Sequence, residues 1–253
     1  MPCKLAQASF WYNTPVKTTR IIEWLDRTLN AAAFDDVSNN GVQVARRGGD
    51  VASVAFAVDG SARAVLAAAR AGAQLLVVHH GISWGGGIRR VAGGVYEVVK
   101  AAIDADVALY ACHLPLDAHP KLGNNAQIAR LLGLVDVRPA FSYHGNVIGC
   151  IGTSRRARSV AIGGNDVGLA AGETVGVCSG GGGEFAEEAK RLGCGLFVTG
   201  EASWGDVIAA ENCGMRMACC GHYETEVFGV RALAGAMKRA LKVGVVDLTE
   251  ELG

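Results

Sequence analysis

Four of the six histidines in this 253-residue chain stand at the ends of apolar runs, and two of them are followed by a carboxylate at one fixed spacing. Val107 to Asp117 reads Val-Ala-Leu-Tyr-Ala-Cys-His-Leu-Pro-Leu-Asp, and Met215 to Glu226 reads Met-Arg-Met-Ala-Cys-Cys-Gly-His-Tyr-Glu-Thr-Glu. In both, three residues separate the histidine (His113, His222) from the acid (Asp117, Glu226). A third apolar run, Leu75 to His80, closes on the adjacent pair His79 and His80. Imidazole and carboxylate are ligands that divalent transition metals accept. Open α/β sheets place their ligands beyond the carboxyl ends of strands, where all six residues are expected. The pattern predicts a metal site, and six candidate ligands predict a double one.

Taken singly, each residue has an ordinary explanation. Neighbours on an extended strand point to opposite faces, so His79 and His80 share a site only if the strand stops there; Gly81 and Gly85–Gly87 permit that turn. Pro115 disfavours helix at Leu114, which predicts a turn that folds Asp117 back beside His113. Glu226 stands at i,i+4 from His222 at the start of the last helix, where an acid is worth up to about 1 kcal/mol without any metal. Core histidines, a turn aspartate and a helix-start glutamate would account for them one by one. Recurrence after three strands favours the metal. His119, just beyond Asp117, is expected in a surface or supporting role.

Substrate contacts have fewer signals. Ser179-Gly-Gly-Gly-Gly-Glu184 follows a strand and opens a helix, where backbone N–H groups can cradle an anion. It lacks the Lys-Ser/Thr of a P-loop. Arg89 and Arg90 follow a second glycine run and form a candidate rim for an anionic substrate. These arginines, Gly181 and Glu201 are the candidate substrate contacts. No Gly-x-Ser-x-Gly elbow is present, so a serine triad has no support. The eight cysteines include no Cys-x-x-Cys pair, which excludes zinc-ribbon spacing.

Composition narrows the class. Half the residues are hydrophobic and 19% are charged, as in a globular protein. Lys+Arg and Asp+Glu balance at 24 each, so no global field draws the chain to nucleic acid or membrane. No apolar run is long enough to span a bilayer. Unpaired cysteines in apolar runs and no signal-peptide pattern point to a cytoplasmic protein.

Short apolar runs alternate with Ala-rich amphipathic stretches, which predicts an α/β fold. Strands are expected at Val51–Val58, Leu75–His80, Val107–His113, Val175–Cys178, Leu196–Thr199 and Met215–Gly221. Helices are expected at Thr18–Ala33, Ser61–Ala71, Gly94–Asp104, Asn125–Leu132, Glu184–Leu192, Trp204–Glu211 and Glu226–Leu241. The halves look alike: Val78-His-His-Gly-Ile-Ser-Trp84 and Val198-Thr-Gly-Glu-Ala-Ser-Trp204 each follow a strand–helix–strand unit. Duplicated βα units predict two lobes, 18–135 and 136–253, after an extension over 1–17, with the metal site between the lobes.

With those residues in view, the chain resembles the NIF-three-like dinuclear-metal proteins, catalogued also as GTP cyclohydrolase I type 2 homologues. The matching motifs are Asn40-Gly-Val-Gln-Val44, His79-His-Gly-Ile-Ser-Trp84, His113-Leu-Pro-Leu-Asp-Ala-His-Pro120 with Gly123-Asn-Asn-Ala126, Val198-Thr-Gly-Glu201 and Gly221-His-Tyr-Glu-Thr-Glu226. The resemblance implies a two-lobed NIF-three-like fold, a homo-oligomer in the form of a toroidal hexamer, and two divalent cations (Mn, Zn, Fe, Ni or Co) per subunit. It implies His79, His80, Asp117, His222 and Glu226 as ligands, with His113 at the site and Glu226 as the bridge. Gly205 stands where many relatives have a histidine. A metal-dependent hydrolase of GTP cyclohydrolase-like kind, acting on a nucleotide-like small molecule, is the expectation; a non-catalytic metal-binding or regulatory scaffold is the alternative.

Overall fold

The structure is a computed structural model that describes residues 14–253. The first elements are β1 (Val16–Lys17), α1 (Thr18–Leu29), β2 (Gly41–Val44), β3 (Asp50–Val51), β4 (Ser53–Asp59), α2 (Ala62–Arg70), β5 (Leu75–His80), α3 (Gly93–Asp104) and β6 (Ala108–Ala111). Next come α4 (Leu114–Asp117), α5 (Asn124–Leu131), β7 (Leu134–Tyr143), β8 (Asn146–Ser154), β9 (Arg158–Ile162), β10 (Asn165–Leu169) and β11 (Thr174–Cys178). The chain ends with α6 (Ala186–Arg191), β12 (Leu196–Thr199), α7 (Trp204–Cys213), β13 (Arg216–Cys219), α8 (His222–Leu241), β14 (Gly244–Asp247) and α9 (Thr249–Leu252).

Two five-stranded mixed sheets result, in the orders β14-β4-β5-β6-β2 and β13-β12-β11-β8-β7. Each contains a parallel β-α-β-α-β unit, β4 to β6 in one and β11 to β13 in the other. That is the α/β fold of paired βα units expected from the repeat. β4 and β5 are buried along nearly their whole length because helices cover both faces of their sheet. Val54, Phe56, Val58, Leu75 and Val77 pack on one face against Ile21, Leu25 and Leu29 of α1 and Leu233 and Met237 of α8. Ala55, Ala57, Leu76 and Val78 alternate to the other face, against Ala64, Val65 and Ala68 of α2 and Ala102 of α3.

Three expectations need correction. The expected extension over 1–17 ends sooner: residues 1–13 lie outside the described residues, but Val16 is buried and β1 pairs with β3. Helix α1 stops at Leu29 rather than Ala33, because Asn30 takes the left-handed conformation (φ 50°) that ends helices. The division at 135/136 fails at the carboxyl end. The apolar stripe of α8 (Val230, Leu233, Ala234, Met237) belongs to the first lobe's core, and β14 pairs with β4. The chain therefore returns to its first sheet, and α8 ties the two lobes together.

Candidate metal centre

Parallel strand ends from both sheets deliver the site. β5 closes on His79 and His80; His113 follows β6 and caps α4; His222 follows β13 and opens α8. The rings cluster tightly, with centroids 4.7 Å apart for His79–His80, 5.1 Å for His79–His113 and 5.5 Å for His80–His222. Pro115 does not prevent a helical turn at Leu114–Asp117, contrary to the sequence expectation. Proline stands in the first turn, where its missing N–H would have no intrahelical partner. That turn carries Asp117 to His79 rather than to His113: Asp117 Oδ2 lies 3.4 Å from His79 Nε2.

Every one of the four imidazoles is fixed through Nδ1. His79 Nδ1 donates to the Cys112 carbonyl at 2.9 Å, His80 Nδ1 to Asp59 at 2.8 Å, His113 Nδ1 to Asp36 at 2.8 Å and His222 Nδ1 to Glu201 at 2.9 Å. A carbonyl or carboxylate oxygen only accepts, so each Nδ1 carries a proton and Nε2 is the nitrogen left to face the centre. This is how histidine ligands are oriented for a metal.

The Nε2 atoms converge on Glu226, which is 3% exposed. Its Oε1 lies 3.1 Å from His222 Nε2 and 3.5 Å from His79 Nε2, and its Oε2 lies 3.2 Å from His80 Nε2. Proximity is not satisfaction here. His79 Nε2 and Glu226 Oε2 are buried with no partner in hydrogen-bond geometry. Burying two such atoms costs free energy unless something else engages them. The chain closes tightly around the carboxylate: Gly180 has φ +62°, and a Cβ there would run into Glu226 Oε1.

Electrostatics follow from this crowding. Burial opposes charge on His80, yet the carboxylates of Asp59 and Glu226 beside it raise its pKa to about 10. The Glu226 hydrogen bond, against burial, lifts His222 to about 9. Burial likewise opposes charge on His79, but the carboxylates of Asp117 and Glu226 outweigh it and raise its pKa. Burial would raise Glu226, but the surrounding imidazoles, His79 foremost, hold it well below the usual carboxylate range. A cluster that holds protons this strongly without metal is also a strong set of donors for a cation that displaces them.

Two groups of donor atoms can each hold an ion: His79, His80 and His113, and His80, His222 and Glu226, with all atoms of a group within 4.8 Å of one another. The nitrogen and carboxylate donors, the oriented Nε2 atoms and the two unsatisfied buried atoms fit a divalent transition metal. Asp117 stands ready beside them. Its Oδ1 accepts from Asn124 Nδ2 (2.8 Å) and Ser179 Oγ (3.2 Å), which leaves Oδ2 turned to His79.

The other predicted residues fall in different places. Gly181 lines a cavity of about 420 Å³ beside His80, His113 and His222, walled by Trp84, Tyr143 and Phe185. Glu201 bonds His222 Nδ1, so its position is that of a support for a histidine. Arg89 and Arg90 are exposed and do not line this cavity. His119 holds a turn, its Nδ1 accepting from the Lys121 and Leu122 amides. Sequence reasoning missed Asp36, Asp59 and Asn124. Asp59 ends a strand that pairs with β5, the one signal that could have found it.

Comparison with known proteins identifies the family. The family model for Duf34/NIF3 (NGG1p interacting factor 3) matches residues 16–251. A protein named GTP cyclohydrolase 1 type 2 homolog from Pyrococcus horikoshii is 38% identical, over 92% of this chain and 98% of its own. One of the same name from Deinococcus radiodurans is 40% identical, over 86% and 87%. The solved structure of a protein called ybgI superposes with a TM-score of 0.79 at 30% identity, covering 92% of this chain and 98% of that one. With a family match along nearly the whole described chain and relatives this similar end to end, the chain belongs to the Duf34/NIF3 family.

Proposed function

We propose that the cluster is a dinuclear divalent-metal centre and that the protein is a metal-dependent hydrolase of GTP cyclohydrolase 1 type 2-like kind. One observation carries the proposal: four Nδ1-anchored imidazoles aim at a buried Glu226 whose Oε2, like His79 Nε2, has no hydrogen-bond partner. His79, His80 and His113 would hold one ion, and His222 with His80 or Glu226 the other, Asp117 completing the set and Glu226 bridging. His80 belongs to both groups, so the two sites are contiguous. When bound, such ions supply Lewis acidity toward a substrate oxygen and lower the pKa of water.

The chain's own residues do the rest. Asp36, Asp59 and Glu201 hold Nδ1 of their imidazoles and keep Nε2 turned toward the centre. Trp84, Tyr143 and Phe185 offer flat apolar walls to a heteroaromatic ring, which supports a nucleotide-like substrate. Ser179 and the glycines at 181 and 182 bring backbone close to the same cavity, where little bulk competes with a ligand. The cysteines at 112, 150, 178, 194, 213, 219 and 220 are unpaired, which fits a reducing compartment and a cytoplasmic protein. Among the described residues no helix is long and apolar enough to cross a membrane.

The test is metal analysis with and without Glu226→Gln, followed by a screen of nucleotides, phosphoesters and cyclic amides. Reconstituted parent protein is expected to hold close to two ions per chain, and the variant at least one fewer with its fold intact. Turnover is expected to disappear on chelation and return with metal. Equal metal content in both proteins would remove the bridge, and a fully loaded protein with no turnover across the screen would remove the hydrolase.

A further inference from the structure

Although positive and negative side chains balance across the chain, one region is strongly one-sided. A cavity of about 690 Å³ lies between α5, the start of β7 and the turn after β8. Lys121, Arg130, Arg155, Arg156 and Arg158 line it, and no aspartate or glutamate does. None of the five forms an ion pair among the described residues, whereas Arg46, Arg70, Arg216 and Arg231 each have a carboxylate partner. A chain of zero formal net charge does not produce such a local excess merely by being basic. Cations that line one cavity repel one another, and an anion among them removes that cost.

The surroundings fix the Arg158 side chain and the turn that carries Arg155 and Arg156. Arg158 donates to the Leu131 carbonyl at the end of α5, and its guanidinium lies over Gly133. A Cβ on Gly133 would stand 2.9 Å from Arg158 Nη1, so the glycine (φ +65°) leaves the room that the guanidinium fills. Ser154 is 1% exposed, and its Oγ donates to the Arg156 carbonyl at 2.9 Å, pinning the turn that carries Arg155 and Arg156. The floor between the cations is apolar: Ala129 from α5 with Leu134 and Val137 from β7. No lining residue is shared with the cavity at the metal centre.

We propose that this cavity is a second ligand site, one that takes a small anion with two or more linked phosphates. Guanidinium forks match phosphate oxygens in pairs, and four arginines exceed what a single carboxylate could neutralise. The volume is that of a small-molecule pocket, within the range of about 300–1,000 Å³. A single-stranded nucleic acid would need stacking platforms, and no aromatic residue lines this cavity. The apolar floor leaves space for an organic group attached to the phosphates, as in a nucleoside diphosphate or triphosphate, and pyrophosphate shares the same chemistry.

The experiment is calorimetric titration of the metal-loaded protein, in a phosphate-free buffer, with pyrophosphate, ATP, adenosine and a twenty-nucleotide oligothymidylate. Pyrophosphate and ATP are expected to bind and adenosine not, with ATP tighter than pyrophosphate if the apolar floor receives the nucleoside. The double variant Arg155→Gln/Arg156→Gln, at two exposed positions, is expected to raise Kd at least tenfold with metal content unchanged, and Arg130→Gln to raise it severalfold. Metal-dependent turnover is expected to survive in the double variant, which separates this site from the metal centre and lets either reading fail without the other. An unchanged Kd in the double variant would overturn the proposal. So would the absence of any binding by pyrophosphate and ATP, or tighter, arginine-dependent binding of the oligonucleotide.

Discussion

At the scale of single residues, the decisive atoms are the four Nδ1–H groups and what they bond. Each imidazole spends one nitrogen on an oxygen of the scaffold and offers the other to the centre, so orientation and tautomer are set before any metal arrives. Without metal, His80 and His222 take protons there instead. The pKa of His80 is raised to about 10 and that of His222 to about 9, while an unfolded histidine titrates near about 6.5. Raised folded-state values stabilise the fold fully below the unfolded value, and that contribution is lost as pH rises through 9 to 10. Chelated protein is therefore expected to melt at progressively lower temperature from pH 7 to pH 10. Metal and proton compete for the same Nε2 atoms, so the rise in melting temperature on adding metal is expected to grow over that interval. Differential scanning fluorimetry across this range, with chelator and with metal, checks both trends. A metal-induced rise that shrinks as pH increases would contradict the competition. The histidines themselves were legible from type and spacing, because strand ends place residues by local rules. Asp36 and Asp59 were not, because they reach His113 and His80 from 77 and 21 residues away, through packing that no local pattern encodes.

At the scale of elements, α4, α5 and α8 meet around one buried asparagine. Asn124 is wholly buried; its Nδ2 donates to Asp117 Oδ1 at 2.8 Å, and its Oδ1 accepts from the Gly229 amide at 2.6 Å. A side chain at Gly229 would strike that oxygen, so the glycine inside α8 marks where another element approaches rather than a weak point in the helix. Asn125 plays a parallel part, its Nδ2 donating to the Ile148 carbonyl and its Oδ1 accepting from the Ser179 amide. Asn124→Ala would leave the Gly229 N–H and one oxygen of Asp117 without their partner. The expected cost is about 1–3 kcal/mol in urea unfolding, with weaker metal retention because Asp117 is freed to turn. Asn124→Asp is expected to be worse for the metal, since a second carboxylate would face Asp117 Oδ1. Unchanged stability and metal content in Asn124→Ala would remove this joint from the account. The sequence carried the six parallel strands of the repeated βα units and most of the helices, since apolar periodicity is local. It did not carry the helical turn at Pro115 or the return of β14 to β4, which depend on what stands opposite each segment after folding.

At the scale of the whole molecule, the seam between the lobes is where the centre lies: His79, His80, His113 and Asp117 come from the first sheet's strand ends, His222 and Glu226 from the helix that follows the second. Helix α8 then runs back into the first lobe's core, so the fold cannot open at the seam without exposing Val230, Leu233 and Met237. Such a rigid subunit suits repeated assembly, and we propose the toroidal hexamer that family resemblance implies. The outer surface supports association of some kind. Trp204 is 77% exposed at the start of α7, and Ile208, one turn along, is 36% exposed. Trp204 opens the helix inside a capping box formed by Ser203 and Asp206, so its backbone is fixed while its ring meets solvent. An exposed indole on a rigid helix start is a strong anchor when another surface covers it. Light scattering is expected to give a mass near six times 26.2 kDa at micromolar concentration. Trp204→Ser should shift that mass toward smaller species if the indole lies between subunits, while metal content per chain stays unchanged because no ligand comes from α7. A stable monomer across the micromolar range would end the toroid. A hexamer indifferent to Trp204→Ser would place the interface on another face and leave the indole to a different partner.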